Sequence, residues 1–167
     1  MTISTLSQSA GKTGLGMNLS SDYFVGFVEG EGMFYIGIVR SSETKSGWQV
    51  IYFFKVSQNP SGRRALEELK NKLRCGYIKQ NSQSDKTDKS LALVVRNLSD
   101  LTDKVVPFFD NKFIIKKDAF DKFKRVLKLV KLKRHLTKNG MKQILDISYL
   151  MNTQKRKFSK EEILRSY

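Results

Sequence analysis

The order of apolar and polar positions along the chain predicts helices alternating with pairs of strands. Between residues 22 and 31, large apolar side chains recur every three or four positions, which indicates a helix capped by Ser20 or Ser21. Alternation with the two-residue period of a β-strand marks four segments: 33–39, 48–58, 75–82 and 90–96. Helical spacing returns in five further segments: 60–73, 99–109 with Ser99 as its cap, 117–134, one that Thr137 opens, and a short one capped by Ser159.

This order favours the α+β class, with one four-stranded antiparallel sheet that carries helices on one face. The elements would run αββαββα and be followed by C-terminal helices. In the first two strands, residues such as Phe34, Ile36, Val50 and Phe54 would face the helices. Side chains of the opposite parity would then form a second face that is free to bind a partner.

The length and composition of the chain fit one soluble domain. Its 167 residues are enough to bury a core, and no apolar run approaches the about 18 residues that a membrane span needs. We expect residues 1–19 to be a flexible lead-in, 20–134 to be the core, and 135–167 to be a helical extension of the same domain.

Cysteine usage and overall composition bear on the compartment. The one cysteine, Cys75, cannot form an internal disulfide, which indicates a reducing, intracellular compartment. The lysine- and phenylalanine-rich composition is compatible with an AT-rich organellar genome, that of a mitochondrion or a chloroplast.

An excess of basic residues points to a polyanionic partner. The chain has 31 Lys and Arg residues against 16 Asp and Glu residues, a formal net charge of +15. Residues 1–109 contain 14 basic and 10 acidic residues, whereas residues 110–167 contain 17 and 6. No helix combines basic flanks with an exposed aromatic face, which favours nucleic acid over an acidic membrane.

The first helix carries glycines and acids that packing alone does not explain. Gly26 and Gly30 are four residues apart and share one face, and each costs about 1 kcal/mol of helix stability relative to alanine. That cost indicates that another backbone lies close to this face. Glu29 and Glu31 stand in the last turn, where the helix dipole disfavours carboxylates.

Residues 24–32, FVGFVEGEG, resemble the LAGLIDADG motif of homing endonucleases and their maturase relatives. Gly26, Gly30 and Gly32 are in register with the motif, and both of its acidic positions hold acids. The resemblance extends from about residue 20 to residue 134 and implies the αββαββα fold. One copy of the motif is present, and family members with one copy act as homodimers.

The resemblance implies an active site shared by two chains. The dimer would form through the glycine-bearing face of the first helix, at Tyr23, Gly26, Phe27 and Gly30. A two-fold axis there would bring both copies of Glu31 together, and their repulsion would require cations between them. Oxygen ligands beside phosphate suit Mg²⁺. The resemblance therefore implies metal-assisted phosphodiester hydrolysis, with Glu31 and the Gly30 carbonyl as ligands.

Two further catalytic positions follow from the resemblance. Gln58 matches a polar residue that helps to position the attacking water, and an ordinary polar residue at a strand end is the alternative. Lys116 or Lys117 matches a basic residue near the scissile phosphate, with Lys116 preferred. A solvated lysine at a helix N-terminus is the alternative for either one.

The open face of the sheet would read duplex DNA in the major groove, with loops 41–47 and 83–88 at the outer base pairs. Strand parity selects its contact residues, which are Tyr35, Val39, Gln49, Ile51, Phe53, Lys55, Lys79, Asn81 and Arg96. A homodimer predicts a double-strand break at a long, near-palindromic target. Two alternatives stay open: an intron RNA-binding maturase on the same fold, and a sequence-specific DNA-binding protein that no longer cleaves.

Overall fold

Helices pack on one face of a β-sheet in this chain. The computed structural model describes residues 19–82, 84–151 and 156–167, so the predicted lead-in lies outside the described residues except for Leu19. The elements in chain order are α1 (Ser21–Glu31), β1 (Gly32–Arg40), β2 (Trp48–Gln58), a 3₁₀ turn (Pro60–Gly62), α2 (Arg63–Leu73), β3 (Tyr77–Gln80), β4 (Leu91–Val95), α3 (Leu98–Asp100), a π-helical turn (Leu101–Val105), α4 (Val106–Phe109), α5 (Lys117–Lys131), a second 3₁₀ turn (Arg134–Leu136), α6 (Lys138–Met151) and α7 (Lys160–Leu164).

The described strands form an antiparallel sheet in the order β1-β2-β4-β3. β1 and β2 make a long hairpin in which Phe34 pairs with Phe54 and Gly32 pairs with Val56. β4 continues the sheet by pairing its Leu93 with Val56, and β3 closes the far edge. The predicted α+β class and the predicted order of elements are confirmed.

Aromatic side chains fill the space between the sheet and the helices. The ring centroid of Phe34 lies 5.3 Å from that of Phe54 and 5.0 Å from that of Phe120 on α5. Phe113, just before α5, lies 5.6 Å from Phe34. Each of these side chains is buried, and burying one contributes roughly 1.5–3 kcal/mol. This packing decides which face of the sheet is covered and which is open.

The C-terminal helices belong to the same hydrophobic cluster as the sheet. Met141 and Ile144 of α6 and Ile163 of α7 are buried in that cluster. The predicted caps are confirmed: the Thr137 hydroxyl accepts a hydrogen bond from a backbone N–H of α6, and the Ser159 hydroxyl accepts one from α7.

The predicted ends of three elements are wrong. β3 is shorter than 75–82 because Gly76, with φ of +85°, turns the chain just before Tyr77. α5 stops before residue 134 because Lys133 adopts a left-handed φ of +56°. Asn97, not Ser99, begins the helical segment that ends at residue 109, since its Oδ1 accepts a backbone N–H at 3.1 Å. In the part of the chain described, no helix is long and apolar enough to cross a membrane.

Candidate active site and nucleic-acid interface

α1 is fixed to the fold at both ends. Ser20 Oγ accepts a hydrogen bond from Tyr23 N–H over 3.2 Å and so caps the helix. Phe24 and Val28 bury the inner side of the helix in the core. At the corner where α1 enters β1, a Cβ on Gly32 would lie 2.6 Å from the carbonyl oxygen of Val28. The third glycine of the motif is therefore required by space.

The opposite side of α1 is open. Apart from the adjacent residues and the backbone of α1 itself, no described atom lies within 4 Å of the position that a Cβ would take on Gly26 or Gly30. Tyr23 is 45% exposed on this side, and Phe27 is half-buried. The residues predicted for the dimer interface thus share one accessible surface, and their role in a dimer stays a prediction.

Glu29 makes contacts that the sequence did not indicate. Its Oε1 accepts hydrogen bonds from Ile114 N–H at 2.8 Å and Lys116 N–H at 3.2 Å, and its Oε2 accepts one from Ile115 N–H at 3.2 Å. Burial raises the pKa of the Glu29 carboxyl, but these donors and the nearby Lys116 ammonium outweigh burial and hold the pKa below its usual value. Glu29 therefore joins the last turn of α1 to the segment before α5.

Glu31, two residues later, has a different environment. Its side chain is exposed, and among the described residues its carboxylate has no hydrogen bond or ion pair. Within the same part of the chain, no three His, Cys, Asp or Glu side chains form a group that could hold a metal ion. The described part of the chain therefore offers a free carboxylate at the end of α1.

Gln58 and Glu31 lie at the same end of the hairpin formed by β1 and β2. Gly32 pairs with Val56, so the last residue of β2 lies beside the junction of α1 and β1. The side chain of Gln58 extends over the following turn, where a Cβ on Gly62 would lie 2.7 Å from its Oε1. A glycine at position 62 leaves the room that this conformation needs.

The two candidate lysines differ in what they contact. Lys116 is brought to the end of α1 by its backbone hydrogen bond to Glu29. Among the described residues, its ammonium has no ion pair. Lys117 points along α5, where its ammonium pairs with Asp121 at 2.7 Å. Of the two lysines, only Lys117 therefore has an ion pair among the described residues, and the catalytic role of either lysine stays a prediction.

The open face of the sheet has the parity that the sequence predicted. Tyr35 and Phe53 pair directly across β1 and β2 with their rings stacked at 4.7 Å, and the Arg96 guanidinium lies 5.4 Å over the Phe53 ring. The remaining predicted contact residues lie on or beside this face: Val39, Gln49, Ile51, Lys55, Lys79 and Asn81. Their contacts with DNA stay a prediction.

A polar cluster on this face includes Ser57, which the sequence analysis did not predict as a contact residue. Lys55 Nζ donates to Asn81 Oδ1 over 3.1 Å, and Ser57 Oγ donates to the same oxygen over 3.4 Å. Ala92 of β4 pairs with Ser57 on one side and with Lys79 on the other, and Asn81 lies two residues beyond Lys79. Ser57 has the parity of Lys55, so alternation alone could have identified it.

Comparison with known protein families assigns the chain to a family independently of the structure. The model of the LAGLIDADG endonuclease family matches residues 24–127, more than half of the chain. The chain belongs to this family. The LAGLIDADG protein is 31% identical over 128 residues to "Probable intron-encoded endonuclease 2" of Neurospora crassa, in an alignment that covers 75% of this chain and 26% of that relative. The chain thus spans about a quarter of the length of this curated relative.

Solved structures resemble the LAGLIDADG protein over most of its length. The homing endonuclease I-TnaI is 36% identical with a TM-score of 0.74, and the match covers 90% of this chain and 97% of that one. The archaeal intron-encoded homing endonuclease I-Vdi141I, in complex with DNA, is 25% identical with a TM-score of 0.77, covering 87% and 92%. The resemblance to the family motif is confirmed by these matches.

Proposed function

We propose that this LAGLIDADG protein is a homodimeric, site-specific DNA endonuclease that makes a double-strand break by metal-assisted hydrolysis. The observation that carries the proposal is the unpaired Glu31 carboxylate at the end of a helix whose outer face is open at Gly26 and Gly30. In one chain, the dipole of α1 destabilises a carboxylate at the C-terminal end of the helix. In a dimer, two such carboxylates could hold cations between them.

A second copy of the chain would complete the site. With no side chain at positions 26 and 30, the two α1 helices could pack with their backbones in contact, as at other small-residue interfaces. A two-fold axis along this face would place both copies of Glu31 at the base of two adjoining sheets. The DNA-bound state of I-Vdi141I supports duplex DNA as the partner.

The donor set fits a hard divalent cation such as Mg²⁺. Glu31 offers an exposed carboxylate, and Gly30 is among the last four residues of α1, whose carbonyls lack partners within the helix. When bound, such a cation supplies a Lewis acid for the phosphate and lowers the pKa of a bound water. Two chains and the DNA phosphates would have to supply the remaining ligands.

Gln58, Lys116 and Lys117 have distinct roles in the proposed mechanism. Gln58 would hold and orient the attacking water by hydrogen bonds from its amide. Lys116, as the unpaired cation, would stabilise charge on the scissile phosphate and the leaving oxygen. Lys117 would serve the structure of α5 through its ion pair with Asp121.

The open sheet face would supply target specificity. Its aromatic pair and its polar cluster are the kinds of groups that contact thymine methyls and base edges in the major groove. The net charge of +15 would strengthen binding to phosphates and make it salt-dependent. The name of the N. crassa relative supports an origin within an intron, which we extend to this chain.

A cleavage selection from a large duplex DNA library in Mg²⁺ tests the proposal, with Glu31→Gln run in parallel. We expect the wild type to recover one near-palindromic cut sequence and the variant to recover none while still binding it. Binding of a sequence without any cutting would point instead to a DNA-binding protein that no longer cleaves. If no DNA is cut or enriched, binding to intron RNA becomes the function to test.

A further inference from the structure

We propose that Glu29 is a positioning residue that holds the Lys116 segment against the end of α1, so that the Lys116 ammonium stays beside the scissile phosphate. This inference rests on the proposed function, because it requires Lys116 to act on the phosphate. It assigns a role to the first acid of the motif, which contacts neither DNA nor metal in the proposed site.

The contact is three hydrogen bonds to one carboxylate. Both oxygens of Glu29 accept from consecutive backbone N–H groups of Ile114, Ile115 and Lys116, at 2.8–3.2 Å. Hydrogen bonds to an ionised acceptor are about twice as strong as those between neutral groups. Three successive amides bound to one side chain fix both the position and the orientation of the segment.

The segment has little else to hold it. Phe113 is 6% exposed and anchors one end in the core, but Ile114 and Ile115 are 86% and 80% exposed and add no packing. At the other end, Lys116 begins α5 without a side-chain cap. The Lys116 carbonyl accepts a hydrogen bond from Phe120 N–H of α5. The described partner of the three N–H groups from Ile114 to Lys116, however, is the Glu29 carboxylate, so the backbone between Phe113 and α5 depends on Glu29 for its conformation.

Electrostatics explain why both charged residues occupy unfavourable helix ends. Glu29 lies in the last turn of α1 and Lys116 lies at the start of α5, and each opposes the dipole of its own helix. Across the contact the signs are complementary, because the carboxylate faces the amides and the positive end of α5. The Lys116 ammonium is also close enough to act on the Glu29 carboxylate.

The arrangement links two parts of the proposed site into one rigid unit. Glu29 and Glu31 are two residues apart on one helix, so the hydrogen bonds set the distance between the backbone at Glu31 and the segment that carries Lys116. A displacement of about 1 Å in a reacting group can reduce a rate by about 100-fold. Loss of the contact should therefore reduce the rate of cleavage rather than the affinity for DNA.

The test is single-turnover cleavage by the full chain on its selected target, with Glu29→Gln, Glu29→Asp, Lys116→Met and the double variant Glu29→Gln/Lys116→Met. Glu68→Gln is the matched control, since among the described residues that helix acid has no hydrogen bond or ion pair. At saturating DNA we expect Glu29→Gln to cut about 10- to 100-fold more slowly. Its affinity without metal should change less than about threefold, and Glu29→Asp, which keeps the charge, should recover part of the rate.

The double variant separates positioning from general stability. If Glu29 acts through Lys116, the double variant will cut no more slowly than Lys116→Met alone, whereas independent roles would give additive losses in activation free energy. Amide hydrogen exchange should show loss of protection at residues 114–116 in Glu29→Gln and not in Glu68→Gln. If the wild type cuts and Glu29→Gln cuts equally fast, or if the losses are additive, this inference is wrong and the proposed function stands. A wild type that cuts no DNA overturns both.

Discussion

Lys55 Nζ donates a hydrogen bond to Asn81 Oδ1 over 3.1 Å, and this contact decides which way the Asn81 amide faces. An ammonium group has only donors, so the amide oxygen must face it, and the amide NH₂ is left to face outwards. Within the described structure, that NH₂ group has no partner. Lys55 and Asn81 therefore present donors to anything that docks on the open face of the sheet.

A surface of donors selects a base edge that carries acceptors. In the major groove guanine presents two acceptors, N7 and O6, whereas cytosine presents a donor. We expect guanine at the position that this pair contacts in the selected target. Asn81→Asp keeps an oxygen towards Lys55 but turns a second oxygen outwards, so the preference should shift towards cytosine by about tenfold.

Library selection with the wild type and with Asn81→Asp measures the base preference of each protein at this position and so tests the expectation. Asn71→Asp makes the same change of charge on the exposed side of α2, away from the sheet face, and should leave every preference unchanged. An Asn81→Asp profile identical to that of the wild type would show that the pair holds the sheet together and does not read bases.

If the dimer forms through α1, substitution at Gly26 should prevent dimer formation without disturbing the fold of one chain. Outside the backbone of α1 and the adjacent residues, no described atom lies within 4 Å of a Cβ at this position, so Gly26→Leu should leave the fold of one chain intact. The leucine would separate the two helices in a dimer that needs close backbone contact. We expect sedimentation equilibrium to show a dimer for the wild type and a monomer for the variant. A dimer of unchanged affinity would place the interface elsewhere.

Alanine substitutions at Gly32 and Gly26 should have different effects on the stability of the fold. A Cβ on Gly32 would come within 2.6 Å of both the side chain and the carbonyl oxygen of Val28. Gly32→Ala should therefore destabilise the protein by about 1–3 kcal/mol in urea unfolding, because the helix–strand corner has to shift. Gly26→Ala should not destabilise the isolated chain, since alanine is favoured over glycine in a helix by about 1 kcal/mol. Equal effects of the two substitutions would contradict this account.

The sequence predicted what depends on periodicity and local motifs. Alternation placed Phe34 and Phe54 on the covered face and Tyr35 and Phe53 on the open one, because strand parity is a local property. It could not predict the partner of Glu29, since the donors are backbone amides 85 to 87 residues away and carry no side-chain signal.

The sequence pattern also could not predict where some helices and strands end. The positive φ at Lys133 ends a segment whose apolar spacing continues past it. The bond between Lys55 and Asn81 depends on the packing of three strands, which alternation along one strand does not describe.

The Glu29 contact also predicts a pH dependence of stability. The pKa of the folded carboxyl is below its unfolded value, so its contribution is present above the unfolded pKa and is lost as pH falls through the folded pKa. We therefore expect urea unfolding to show the wild type more stable than Glu29→Gln at neutral pH. The difference should shrink as the pH falls below the usual carboxyl pKa of about 4.3. The Glu68 carboxylate has no hydrogen bond or ion pair among the described residues, so Glu68→Gln should differ from the wild type by the same small amount at every pH. A gap between the wild type and Glu29→Gln that stays constant from neutral to acidic pH would mean that the ionised carboxylate does not stabilise the segment.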